Sequence, residues 1–307
     1  MAAAILGAGA VSAAVILHNR SADSTPTLPI HLPATPDAYL GVYAAGSPAS
    51  YGGVTDFAQS IHAKPDVAMS YIGWYEPFPA AFAKAAASNG AVPLIQLDPD
   101  GINVAAIAAG KYDAYLFSLA ESVHAYHHPV IIGFGHEMNG SWYSWGYGRA
   151  SPAAFVRAWQ HIVTTFRALG ARNVTWLWTV NIINDTQRGK IPRPNAWWPG
   201  SKYVNWVGID GYYLQQSWQF APLFGPTIEA VREVTAAPIL IAETGAVPSA
   251  GQAAKIHDLF AGVRRYGLLG FVYFDATDAT GQDFSIHSRT SIDAFSKGAF
   301  SYQRPLS

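Results

Sequence analysis

The 307-residue chain contains no cysteine. Disulfides, thiolate metal sites and cysteine nucleophiles are therefore excluded. Charge is also scarce: Asp, Glu, Lys and Arg make up 13% of the residues, against roughly 25% in an ordinary soluble domain. The net charge of −1 gives no sign of a nucleic-acid partner, and none is expected. There is no G-x-G-x-x-G or G-x-x-x-x-G-K-[ST] turn to cradle phosphates, which argues against a nucleotide-binding open sheet. The G-x-S-x-G elbow of serine hydrolases is missing as well. "HEMNG" (136–140) has Gly140 where a zinc-protease helix needs its second histidine. No metal and no organic cofactor are expected.

What the chain has in quantity is apolar and aromatic residues: half are apolar, with 10 Trp, 16 Tyr and 15 Phe. Such a stock suits a large core, and flat rings also suit a sugar-binding cleft. Residues 2–17 are apolar and small, ending at His18-Asn19-Arg20. That is marginal for a membrane span and lacks the basic flank of an ordinary signal. We read residues 1–20 as an export signal or an N-terminal membrane anchor, and 21–36 as a polar, Pro-rich linker. A secreted or cell-surface location follows as an expectation. Residues 37–307 read as one domain and a monomer.

Within it, eight apolar runs recur at 38–45, 66–74, 91–97, 129–135, 173–180, 204–210, 237–243 and 268–274. They lack polar alternation, as strands buried on both faces do. Helical patterns lie between several of them. In 151–170, Ser151 suits the cap, Pro152 the first turn and Gly170 the stop, with Phe155, Trp159, Ile162 and Phe166 on one stripe. The alternation predicts an α/β fold closed into a (β/α)8 TIM barrel.

In such a barrel the residues just past each strand's C-terminal end face the active-site mouth. Glu137 follows the fourth run and Glu243 ends the seventh, on roughly opposite sides of an eight-stranded ring. Two carboxyls converging across a cleft can act as proton donor and nucleophile at a glycosidic bond; a separation of about 5–5.5 Å goes with retention of configuration, roughly 6.5–9.5 Å with inversion. Trp74 ends the second run, while Trp178 and Asn181 end the fifth, so position makes all three cleft candidates.

"HEMNGSWYSWG" (136–146) resembles the acid/base signature of glycoside hydrolase family 26, which contains many β-mannanases. "YVNWVGIDGYY" (203–213) and "IAETG" (241–245) resemble its sixth- and seventh-strand segments, in the right order. The resemblance implies a retaining, endo-acting hydrolase of β-linked polysaccharide, with β-1,4-mannan as the first substrate and β-1,3-xylan or mixed-linkage β-glucan as rivals. Glu137 then corresponds to the acid/base and Glu243 to the nucleophile. His136 would contact sugar or orient a carboxylate, Tyr212 would hydrogen-bond the nucleophile, and Trp142 would stack on a sugar face beside the cleaved bond. Three stretches depart from the pattern. "LDPD" (97–100) stands where a Trp-containing segment is familiar, Phe284 where a Trp is usual, and "FVYFDA" (271–276) has no Trp near its end. Tyr273 is a substitute for that last Trp, with Phe274 and Asp275 as alternatives. A different kind of protein is also consistent with these departures: a catalytically silent cell-surface glycan-binding or polysaccharide-biosynthesis accessory protein on the same barrel.

Overall fold

The computed structural model describes residues 32–184 and 191–302. The proposed signal or anchor (1–20) and most of the proposed linker lie outside the described residues. No helix among the described residues is long and apolar enough to cross a membrane.

Eight parallel strands close into a barrel in sequence order. They are β1 (Tyr39–Ala44), β2 (Val67–Gly73), β3 (Val92–Asp98), β4 (Val130–Phe134), β5 (Val174–Asn181), β6 (Trp206–Asp210), β7 (Ile239–Thr244) and β8 (Gly270–Asp275). Each falls within a residue or two of an apolar run, so the predicted barrel is the observed one. The helices are α1 (Gly52–Ser60), α2 (Ala80–Ser88), α3 (Val104–Ala108), α4 (Asp113–Tyr126), α5 (Pro152–Ala168), α6 (Phe220–Arg232), α7 (Gln252–Arg265) and α8 (Arg289–Phe300). The alternation is not strict. Two helices connect β3 to β4, whereas between β5 and β6 the described residues hold only a 3₁₀ turn, Pro194–Trp197. Helix α5 starts as its sequence demands: the Ser151 hydroxyl accepts from the Ala154 amide at 3.2 Å, with Pro152 in the first turn.

Strand residues alternate between two cores. Val67, Met69, Val92, Leu94, Ile131, Leu177, Trp206, Leu240 and Val272 fill the barrel interior. Their neighbours Ala68, Ile95, Ile132, Trp178, Val207, Ile241 and Phe271 pack outward with helix residues such as Phe155, Phe260 and Phe295. The interior is closed below by Tyr39 set edge-on to Trp206, ring centroids 5.0 Å apart. Above that floor Gln96 donates to Thr179 Oγ1 at 3.3 Å. A Cβ on Gly133 would meet Gln96 Oε1 at 1.8 Å, so glycine on β4 is what lets a polar side chain cross the barrel.

Alternation corrects three expectations. Trp74, Trp178 and Tyr273 do not face the mouth. On β2, Met69 and Tyr71 point inward, so Trp74 points outward, where it meets Tyr115 at 5.0 Å and Tyr112 at 5.7 Å. Trp178, between inward Leu177 and Thr179, packs edge-on to Trp198 at 5.1 Å. Tyr273 follows inward Val272 and packs against Phe57 and Phe295. Its hydroxyl donates to the Phe284 carbonyl at 3.0 Å and accepts from the Ala246 amide at 3.3 Å. Proximity to a strand end ranks these residues as cleft-lining, but the two-residue period decides the side.

Strand β7 breaks that period. Ile241 pairs with Ile209, yet Glu243 pairs with the very next residue of β6, Asp210. On the other side Ile241 pairs with Phe271, and Thr244 with Tyr273. One extra residue is thus accommodated in β7 against both neighbours. Ala242 belongs to the inner core and Glu243 lines the mouth, although they are consecutive. The irregularity re-aims a side chain that strict alternation would send into the helix layer.

Candidate active site

A cavity of about 720 Å³ opens at the C-terminal end of the barrel. Glu137 and Glu243 both line it, together with Tyr43, Tyr71, Asp98, His136, Trp142, Tyr143, Tyr212, Phe274 and Asp278. Five strands contribute near their ends: Tyr43 from β1, Tyr71 from β2, Asp98 from β3, Glu243 from β7 and Phe274 from β8. No Lys or Arg is among the described residues that line it.

The first carboxylate is held by a strained turn. Beyond β4, Gly135 has φ +55° and Glu137 φ +54°. For glutamate this left-handed geometry costs about 1–2 kcal/mol. The turn remains tied to both neighbouring strands, since the Gly135 amide donates to the Leu97 carbonyl at 2.9 Å and the Glu137 amide to the Thr179 carbonyl at 3.0 Å. Asn181 donates its side-chain amide to Glu137 Oε1, and Trp142 donates its indole N–H to Glu137 Oε2 at 2.6 Å. Asn181 is buried and is not among the cavity-lining residues. This corrects its expected place at the cleft: it lies behind Glu137 and contacts the carboxylate. Asn139 fastens the same loop, exchanging two 2.8 Å bonds with the backbone of Asn181.

His136 is buried between Asp98, bonded to its Nδ1 at 2.9 Å, and the Tyr143 hydroxyl, 3.0 Å from Nε2. Burial pulls its pKa down. The Asp98 carboxylate, by charge and by hydrogen bond, and then Glu137 and Asp210, more than reverse this and raise it to about 9. This favours the imidazolium form near neutrality, in which both nitrogens donate. Trp145, itself buried, donates to the His136 carbonyl at 2.8 Å and stacks on Tyr143 at 4.3 Å.

The second carboxylate is held by hydroxyls. Tyr212 donates to Glu243 Oε1, and Tyr71 donates to Oε2. Burial, and then the charge of Asp278, raise the Glu243 pKa to about 8. The two donated hydroxyls act in the other direction, because they bond to the ionised form. Asp278 sits on the loop after β8, where its Oδ1 accepts from the amides of Thr280 and Gln282 at 2.8 and 2.9 Å.

The structure therefore gathers Glu137, His136, Trp142, Tyr212 and Glu243 around one cavity and leaves out Trp74, Trp178 and Tyr273. Tyr71, Asp98, Tyr143 and Asp278 were not singled out from the sequence. For Tyr71 and Asp98 a signal existed: each shares inward parity with an interior residue two positions earlier and sits at a strand's C-terminal end. Asp98 also lies in the "LDPD" stretch that departs from the family pattern. Among the described residues, no group of three or more His, Asp or Glu is placed to hold a metal ion. Chemically, the arrangement can offer one carboxyl to a leaving oxygen and another to a carbon from a second direction.

Comparison with known proteins gives a consistent set of relatives. Residues 107–261 match the model of glycosyl hydrolase family 26; that stretch includes both Glu137 and Glu243. The chain is 31% identical over 223 residues to endoglucanase H of Acetivibrio thermocellus, covering 68% of this chain and 24% of that protein. It is 28% identical over 111 residues to a β-1,3-xylanase of a Vibrio species, covering 36% and 22%. The chain thus spans about a quarter of the length of these relatives. Among solved structures, an endo-β-1,4-mannanase of Cellulomonas fimi superposes with a TM-score of 0.65 at 16% identity, covering 88% of this chain and 75% of that one. A β-mannanase of Bacteroides ovatus gives 0.62 at 16% identity, covering 86% and 88%. These structures share the barrel.

Proposed function

The chain belongs to glycosyl hydrolase family 26, and from that premise we propose that it is a retaining, endo-acting hydrolase of a neutral β-linked polysaccharide. The observation that carries the reading is that Glu137 and Glu243 line one cavity with separate sets of donors.

In the first step a Glu243 oxygen attacks the anomeric carbon, the glycosidic C–O bond breaks, and Glu137 gives its proton to the departing oxygen. In the second, Glu137 takes a proton from water, whose oxygen displaces Glu243 from the same carbon and restores the starting configuration. Both carboxyls end as they began. Tyr212 and Tyr71 hold the nucleophile in place. His136, kept cationic by Asp98, orients the turn that carries Glu137 and offers an electrostatic counterweight to the acidic cavity. Trp142 presents its indole to the sugar beside the cleaved bond, while its N–H fixes Glu137.

The substrate is a neutral glycan, in keeping with a lining of four carboxyls and one imidazolium with no Lys or Arg among the described residues. The sequence motifs favoured β-1,4-mannan. The 31%-identical relative is named an endoglucanase, which moves a β-glucan ahead, tested here in its mixed-linkage form, with mannan and β-1,3-xylan next. An insoluble or very large substrate must be met outside the cell, so secretion or surface anchoring through residues 1–20 completes the proposal. A monomer suffices, because one chain supplies the whole lining.

The test is incubation with mixed-linkage β-glucan, β-1,4-mannan and β-1,3-xylan, reading new reducing ends. Cleavage of at least one by the parent is expected, with loss of roughly 10⁴-fold or more in Glu243→Ala. Azide should partly rescue that variant and yield a glycosyl azide of inverted configuration. Binding without cleavage across the panel would favour the silent glycan-binding protein instead.

A further inference from the structure

Glu243 carries a hydroxyl on each of its oxygens, and the two hydroxyls are not held alike. Tyr212, on Oε1, is 9% exposed, and its ring is wedged 4.3 Å from Phe284 and 6.0 Å from Phe274. Tyr71, on Oε2, is only half-buried. Its ring borders the cavity, with Tyr43 edge-on at 5.2 Å and His136 at 5.5 Å. One donor is locked in packing, and the other stands where a sugar would be seated.

Attack makes the two oxygens unequal. The attacking oxygen becomes the bridging oxygen of an ester, loses its charge and turns into a poor acceptor. The other becomes the ester carbonyl and stays a good one. A hydroxyl on the attacking oxygen must therefore let go as the bond forms, whereas a hydroxyl on the other can remain.

Resting on the reading of Glu243 as nucleophile, we propose that Oε2 is the attacking oxygen and that Tyr71 is a transferable donor. It holds Oε2 in the empty site and passes its O–H to an oxygen of the sugar once the ring is seated. The tyrosine proton stays on its own oxygen throughout, and only its acceptor changes. Tyr212 remains on Oε1 and bonds to the ester carbonyl. Tyr71 is thus a positioning residue in the free protein and a sugar contact in the complex. It lies outside the residues matched by the family model, 107–261.

The experiment compares the pH dependence of kcat/KM and kcat on mixed-linkage β-glucan, or on whichever panel glycan is cleaved fastest, for the parent, Tyr71→Phe and Tyr212→Phe. The titratable groups that share the cavity with Glu243 are Tyr43 from β1, Asp98 from β3, His136 and Glu137 after β4 and Asp278 after β8, and Asp210 is its pairing partner on β6. All are unchanged in both variants, so differences report the lost hydroxyl. Because kcat/KM follows the free protein and kcat the complex, Tyr71→Phe should raise the acidic limb of kcat/KM by roughly one pH unit. It should leave that of kcat within about 0.3 unit. Tyr212→Phe should raise both. Equal shifts in both parameters for Tyr71→Phe, or none in either, would overturn the proposal.

Trapping the parent with a 2-deoxy-2-fluoro glycosyl fluoride separates the two readings. No label on Glu243 would remove the nucleophile assignment itself. With the label there, a crystal structure of the adduct should show the sugar on Oε2 and the Tyr71 hydroxyl bonded to a sugar oxygen. A bond from carbon to Oε1, or Tyr71 still on Oε2, would defeat the transfer alone, even if the phenylalanine variant failed to fold.

Discussion

Trp142 donates its indole N–H to Glu137 Oε2 at 2.6 Å, and its ring lies where a Cβ on Gly140 would come within 2.2 Å of it. One residue without a side chain therefore lets the loop fold its own tryptophan back onto the carboxyl three positions before that glycine. On the proposed reading, sugar contact and control of Glu137 are combined in one side chain. Trp142→Phe keeps a ring but drops the donor, so kcat should fall roughly 10- to 100-fold while KM changes little. Trp142→Ala should raise KM as well. Gly140→Ala should resemble Trp142→Ala, because the ring can no longer occupy its place. Steady-state kinetics on the accepted glycan checks all three; an unchanged kcat in Trp142→Phe would show that the indole bond does not matter.

Asp278 sets part of the pKa of Glu243. If Glu243 is the nucleophile, as proposed, attack needs its ionised carboxylate, so kcat/KM should rise with pH through a limb set above the ordinary carboxylate range, toward about 8. Asp278→Asn keeps the Oδ1 that accepts from Thr280 and Gln282 but removes the negative charge. The limb should then move to lower pH, by roughly half a unit to one unit. A limb that stays put, with the loop intact, would show that burial alone raises Glu243.

Stability should decline as the pH rises. The Glu243 carboxyl ionises near 4.5 when unfolded and near 8 when folded. Between those values the folded state holds the extra proton, so folding loses free energy with each step up in pH. His136 acts in the same sense between about 6.5 and 9: its stabilising contact with Asp98 is complete below the lower value and is lost through the upper one. Denaturant midpoints at pH 5 and pH 9 should differ accordingly. Glu243→Gln removes the first contribution and should exceed the parent at pH 9 by on the order of 1–3 kcal/mol. A parent equally stable at both values would contradict the burial of these charges.

Tyr273 belongs to the scaffold. Tyr273→Phe strips a bond from the Ala246 amide and another from the Phe284 carbonyl, both buried. It should cost about 1–3 kcal/mol of stability and leave KM near the parent's. Trp74→Phe should likewise lower the melting temperature and spare KM. A marked rise in KM from either would restore them to the cleft.

The sequence by itself determined the architecture and the two carboxyls. Strands covered on both faces must be apolar throughout, so eight such runs stood out without alternation, and Glu137 and Glu243 were conspicuous as charges at the ends of two of them. Those are local properties of the chain. What only the tertiary structure decided is which way side chains turn and whom they meet. Glu243 reaches the mouth through an irregularity in β7 that no residue pattern advertises, since it arises from pairing with both β6 and β8. Tyr71 acquires its meaning from a carboxylate 172 positions later, and Asp98 from a histidine 38 positions later. Ring closure creates those neighbours, and a linear pattern records only which residue types are available to meet.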